Sequence, residues 1–99
     1  MTNEKNTAQG TESLTLLQFY ADWCQPCRMM MPIVESIRQK QYQWLDIQQI
    51  DIDREEDMAD KYHVRSIPTF VALKNNQEVW RKSALLSEQA LVTALSTLR

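Results

Sequence analysis

Apolar residues recur along this chain with two different spacings, and the switches between them lay out its elements. Leu14, Leu16, Leu17, Phe19 and Tyr20 crowd together with few polar interruptions, the pattern of a strand covered on both faces in a partly parallel sheet. From Pro26 to about Tyr42 the spacing changes: Met30, Ile33, Val34 and Ile37 repeat at i, i+3, i+4 and i+7. That places them on one stripe of an amphipathic helix. Pro32 falls inside this helix and has no N–H for the backbone ladder, so a kink is expected between Arg28 and Pro32. Met29, Met30 and Met31 cover one turn; at least one belongs in the core, and the others suit an adaptable contact surface.

The alternation of Leu45, Ile47, Ile50 and Ile52 makes Trp44 to Ile52 a second strand. Asp53 is expected to cap a short helix running through Tyr62, with Glu56 at the third position of a capping box. Phe70 to Leu73 is a short apolar strand. Lys74-Asn75-Asn76-Gln77 is a turn in which asparagine supplies positive φ, and Glu78 to Lys82 returns antiparallel. Ser87 caps a last helix with Leu91, Val92, Leu95 and Leu98 on its apolar face. The order is β-α-β-α-β-β-α, an α/β domain from residue 13 to residue 99.

Composition narrows the classes. A chain of 99 residues holds one core. Its formal charge of -2 lacks the basic balance of a nucleic-acid binder. It contains no apolar run long enough to span a membrane. Residues 1–12 are polar, carry Gly10 as the only glycine, and lack the apolar stretch of a secretory signal. They read as a flexible tail, and the domain as cytoplasmic.

The chemistry is concentrated in Trp23-Cys24-Gln25-Pro26-Cys27, which holds the only two cysteines, directly after the first strand and at the start of the first helix. A helix start leaves N–H groups unpaired and carries partial positive charge. A thiolate is stabilised there, so Cys24 is expected to be a nucleophile of lowered pKa. Cys27 lies one turn on, close enough to attack a mixed disulfide and close a ring.

With Phe19-Tyr20-Ala21-Asp22-Trp23-Cys24-Gln25-Pro26-Cys27, Pro32, Asp51-Ile52-Asp53 and Ser66-Ile67-Pro68-Thr69 in place, the chain resembles the thioredoxin family from about Leu14 to Leu98. A lone C-x-x-C says little. Trp-Cys-x-Pro-Cys after a strand, with Ile-Pro-Thr forty residues later, is highly specific. The resemblance implies a thioredoxin fold: a mixed sheet flanked by helices, reduced here to a four-stranded core because the family's first strand is missing or vestigial. It implies Cys24 as exposed nucleophile and Cys27 as buried resolving thiol. It also implies a cis Ile67–Pro68 bond beside them, with Trp23, Pro26, Ile67 and Pro68 receiving the substrate. The reaction is dithiol–disulfide exchange with protein disulfides, in the reducing direction, by a monomer that needs no metal and no organic cofactor. Electrons come from a disulfide reductase or a low-molecular-weight thiol.

The chain also departs from the family. Gln25 replaces glycine between the cysteines. Gln18 stands where the family buries an aspartate and Gln49 where it has a lysine, so a charged pair becomes two amides and neither can act as a base. Ser66 and Ala84 replace glycines that border the substrate groove. Those amides keep a second reading open, a binding module with slow or no redox turnover. Metal capture by Cys24 and Cys27 is a third, although two thiolates underfill a tetrahedral site. His63 stands outside any metal-ligand spacing and reads as structural, as Trp44 and Trp80 read as packing or surface residues. Arg28 either favours the thiolate or is a solvated side chain at a helix start; the sequence allows both.

Overall fold

The computed structural model describes residues 13–99. The tail read over residues 1–12, and with it the fate of the family's first strand, lies outside the described residues. Seven elements follow in the expected order: β1 (Leu14–Tyr20), α1 (Gln25–Gln39), β2 (Leu45–Asp51), α2 (Glu56–Lys61), β3 (Thr69–Lys74), β4 (Gln77–Lys82) and α3 (Glu88–Ser96). The sheet order is β2-β1-β3-β4. β1 pairs parallel with β2 and antiparallel with β3, and β3 pairs antiparallel with β4. Among the described residues this is the four-stranded mixed sheet flanked by helices that the resemblance implied.

β1 is covered on both faces, which is why its apolar run is nearly continuous. Alternate residues point to opposite faces. Leu14 and Leu16 join Ile47, Phe70 and Ala72 beneath the Met30, Val34 and Ile37 stripe of α1 and Leu91 and Leu95 of α3. Leu17 and Phe19 join Ile50, Val71 and Leu73 on the other face, where Met58, Tyr62 and Val64 pack over them. Each fully buried side chain of this size stabilises the fold by about 1.5–3 kcal/mol. Trp44 and Trp80 both pack against the first of these clusters.

Two boundaries differ from expectation. α1 ends at Gln39, not near Tyr42, because Lys40 closes the helix and Gln41 turns left-handed at φ 56. It runs unbroken through Pro32. α2 is capped by Glu55, which makes no side-chain capping bond. The expected Asp53–Glu56 capping box is therefore absent. Asp53 is held elsewhere: its N–H donates to Asp51 Oδ1 at 2.9 Å, and its carboxylate accepts from Trp23. The β3–β4 turn is as read, with Asn75 and Asn76 both at positive φ (55 and 67), the conformation of a type I′ hairpin.

Candidate functional site

β1 delivers the chain to the site and a tight turn starts α1. The N–H of Cys24 donates to the carbonyl of Ala21 at 3.1 Å. This turn leaves Cys24 extended (φ -90, ψ 112) as the N-cap of α1. Its Sγ accepts from the N–H of Cys27 at 3.3 Å, using one of the unpaired donors of the first turn. Pro26 fits the opening turn because the N–H it lacks would have no helical partner there. The two cysteines are joined as a disulfide, with Cα atoms 5.2 Å apart.

The two sulfurs have unequal surroundings. Cys24 keeps only 6% of its surface exposed and is therefore buried rather than the exposed nucleophile expected, because Ala21, Tyr20, Ile52 and Ile67 close around the pair; Cys27 keeps none. The Ile67–Pro68 bond is cis, and the Ile67 carbonyl lies 3.8 Å from Cys24 Sγ. Thr69 fastens this loop by donating to the Ser66 carbonyl at 2.6 Å, and its hydroxyl also meets that of Ser83 at 2.7 Å. Tyr20 is held neutral: burial raises its pKa first, and the nearby Asp51 and Asp22 carboxylates raise it further.

Trp23 stands at the rim, 66% exposed, and its indole N–H donates to Asp53 Oδ2 at 2.9 Å. Pro26 is exposed beside it, and Pro68 is buried. Among the methionines the division is clear. Met30 is buried and its sulfur accepts from the Leu86 N–H at 3.4 Å, while Met29 is exposed.

Beneath α1 lies the neutral substitute for the charged pair. Gln18 and Gln49 are register partners on β1 and β2, and Gln49 Nε2 donates to Gln18 Oε1 at 2.9 Å. Gln18 is fully buried, and its own amide donates to Met31 Sδ at 3.5 Å. A thioether is a weak acceptor, but it keeps the amide partnered. Met31 is four residues past Cys27 and therefore one turn along the same helix face.

Of the six residues that the sequence singles out, the structure packs Cys24, Cys27 and Ile67 together; Pro68 follows Ile67 through the cis bond, and Trp23 and Pro26 flank the first cysteine along the chain. The partner of Trp23, the thioether above Gln18 and one further contact are not visible in the motif. Arg28 donates to the Gln25 side chain (Nη2 to Oε1, 2.7 Å) and to the Asp22 carbonyl (Nη1, 3.2 Å). Only the last left a trace in the sequence, the i, i+3 spacing of Gln25 and Arg28 at a helix start.

A family model described as thioredoxin matches residues 2–97. The chain is 36% identical over 90 residues to the thioredoxin of Bacillus subtilis, covering 91% of this chain and 86% of that one. It is 39% identical over 75 residues to thioredoxin-1 of Drosophila yakuba, covering 76% and 70% of the two chains. Among solved structures, the thioredoxin of Fasciola hepatica superposes with a TM-score of 0.83 at 32% identity, over 98% of this chain and 91% of that one.

Proposed function

The chain belongs to the thioredoxin family and is a thiol–disulfide oxidoreductase, and from that premise we propose that it reduces protein disulfides through Cys24 and Cys27. Trp23, Pro26, Ile67 and Pro68 form the surface that receives the substrate, and residues 13–99 act as one functional unit. The start of α1 carries the reading. The Cys24 sulfur caps the helix and faces an N–H donor, and Cys24 as a residue keeps a sliver of exposure while Cys27, one turn away, has none.

In the first step Cys24 thiolate attacks one sulfur of the substrate disulfide. The substrate S–S bond breaks, a mixed disulfide forms, and the departing thiolate takes a proton from water. Cys27 then loses its proton and attacks Cys24 Sγ, which releases the second substrate thiolate and closes the Cys24–Cys27 bond. Two electrons pass to the substrate. Gln18 and Gln49 cannot accept a proton, so that of Cys27 passes to water or to another group. The backbone of Ile67 pairs with an extended substrate segment, in the manner of an added strand. A separate disulfide reductase or a low-molecular-weight thiol returns the two electrons. The setting is the cytoplasm and the acting species a monomer. No helix among the described residues is long and apolar enough to cross a membrane.

Equilibration in glutathione or dithiothreitol buffers, with free thiols counted, tests the direction. A potential near about -270 mV supports a reductant, and one above about -180 mV makes the protein an oxidant or isomerase instead. Cys27→Ser is expected to accumulate the mixed disulfide with a disulfide-bonded peptide, because Cys24 can attack and nothing resolves the product.

A further inference from the structure

The Gln25 and Arg28 side chains bond to each other across the first turn of α1. The backbone N–H of Arg28 donates to the Cys24 carbonyl at 3.1 Å, so the two residues are one turn apart. Side chains on a helix lean toward its N-terminus, and that of Arg28 runs back over the first turn. Its guanidinium meets the Asp22 carbonyl at 3.2 Å and the Gln25 side-chain oxygen at 2.7 Å. Those acceptors flank Trp23 and Cys24 on either side.

The placement runs against helix stability. A cation is disfavoured at the positive end of a helix dipole, and the first turn of α1 contains no acid to offset it. The position becomes favourable once an anion forms there. The carboxylates of Asp22, before the helix, and of Asp53, bonded to Trp23, lie outside that turn; the anion that forms at its N-cap is the Cys24 thiolate. We propose that Gln25 and Arg28 are a positioning pair, in which the Gln25 oxygen holds the Arg28 guanidinium over the Cys24 end of α1 and biases the couple toward the dithiol. Gln25 is thus an acceptor that fixes a charge, rather than a spacer between the cysteines. The proposal rests on the oxidoreductase reading and adds to it what sets the balance.

The test equilibrates wild type, Arg28→Ala, Gln25→Ala, the double variant and Arg28→Lys in glutathione buffers. The pH midpoint of Cys24 alkylation by iodoacetamide is measured alongside. Removing a charge at a helix end changes an equilibrium by about threefold. Arg28→Ala is therefore expected to favour the disulfide by about threefold and to move the alkylation midpoint to higher pH. Gln25→Ala moves both readouts the same way by less, and the double variant matches Arg28→Ala, since without the arginine the glutamine holds nothing. Arg28→Lys keeps the charge and recovers at least half the shift. In about 1 M salt, where charges are screened within about 3 Å, the Arg28→Ala shift shrinks.

Unchanged equilibrium and midpoint in Arg28→Ala overturn the proposal, as do single-variant effects that simply add or a shift indifferent to salt. Closure of the disulfide in wild type checks the oxidoreductase reading separately. A wild-type pair that never closes overturns both.

Discussion

α1 and α3 begin with the same device made from different atoms. In both, an extended N-cap side chain accepts the N–H three residues on: Cys24 Sγ from Cys27 at 3.3 Å, Ser87 Oγ from Ala90 at 3.1 Å. The surroundings then diverge. α3 follows its cap with Glu88 in the first turn, where a carboxylate complements the helix dipole, and α1 has no acid there. It has Arg28 instead. α3 is finished as a structural helix, while α1 uses a weaker sulfur acceptor and leaves its positive end uncompensated. The comparison separates what a helix start needs for stability from what a nucleophile needs for ionisation.

The severest way to break the comparison is to make the two caps alike. Cys24→Ser puts at α1 the oxygen that serves α3, and disulfide exchange, followed by insulin reduction with dithiothreitol as electron source, is expected to fall to the uncatalysed background. Against the reduced wild type the same variant gains about 0.5 kcal/mol in urea unfolding, since serine ranks among the best N-caps. A variant that loses activity and stability together would show that the sulfur cap was no compromise.

The layers beneath the two helices differ as well. α3 buries Leu91 and Leu95 in apolar surroundings, whereas β1 and β2 bring the Gln18–Gln49 amides under the sulfur of Met31 on α1. Gln18→Glu would place a carboxyl at a fully buried position. Burial raises a carboxyl pKa by about 2–3 units, and each unit corresponds to about 1.4 kcal/mol. The folded-state pKa then lies above the unfolded one. The penalty is therefore absent below the unfolded value and grows as pH rises through the folded one, reaching about 3–4 kcal/mol. Urea unfolding of the variant at pH 4 and pH 7 measures it, and equal losses at both would mean that the acid escapes to solvent.

The structural cap offers a milder test. Ser87→Ala leaves the Ala90 N–H without its side-chain partner and is expected to cost about 1 kcal/mol, read as a lowered urea midpoint with unchanged insulin-reduction kinetics. A loss of exchange rate would show that the two helix starts are coupled.

Periodicity made most of this architecture legible. The β1 run, the α1 stripe and the two asparagines of the hairpin each encode one conformation locally. Cys24, Cys27 and Ile67 pack together, and the Ile67–Pro68 bond is cis. What remained hidden depends on contacts between distant segments. Asp53 has the composition of a cap, yet Trp23, thirty residues away, takes its carboxylate. The thioether of Met31 partners an amide on β1 only because α1 crosses that strand at this point. No local pattern announces either contact. α1 ends at Gln39, about three residues before the expected Tyr42, because the left-handed turn at Gln41 leaves no trace in hydrophobicity.

A second arginine at a helix end supplies the smallest prediction and the sharpest contrast with Arg28. Arg81 on β4 donates to the carbonyl of Tyr62, the C-cap of α2, at 2.6 Å, where a cation suits the dipole. It is also paired with Glu78 through two bonds of 2.8 and 2.9 Å. The hydrogen bond from Arg81 holds the Glu78 carboxyl below its ordinary value of 4.5. Because the folded pKa is the lower one, the stabilisation is present above that ordinary value and disappears as pH falls through the folded one. The pair is partly exposed, so Glu78→Gln should cost only about 0.5 kcal/mol at pH 7, vanishing in acid and leaving Cys24 exchange untouched. Urea midpoints at pH 7 and pH 3 would show it. A difference that persisted at pH 3 would mean that Glu78 acts through packing, and the ionic contrast between Arg81 and Arg28 would then lose its basis.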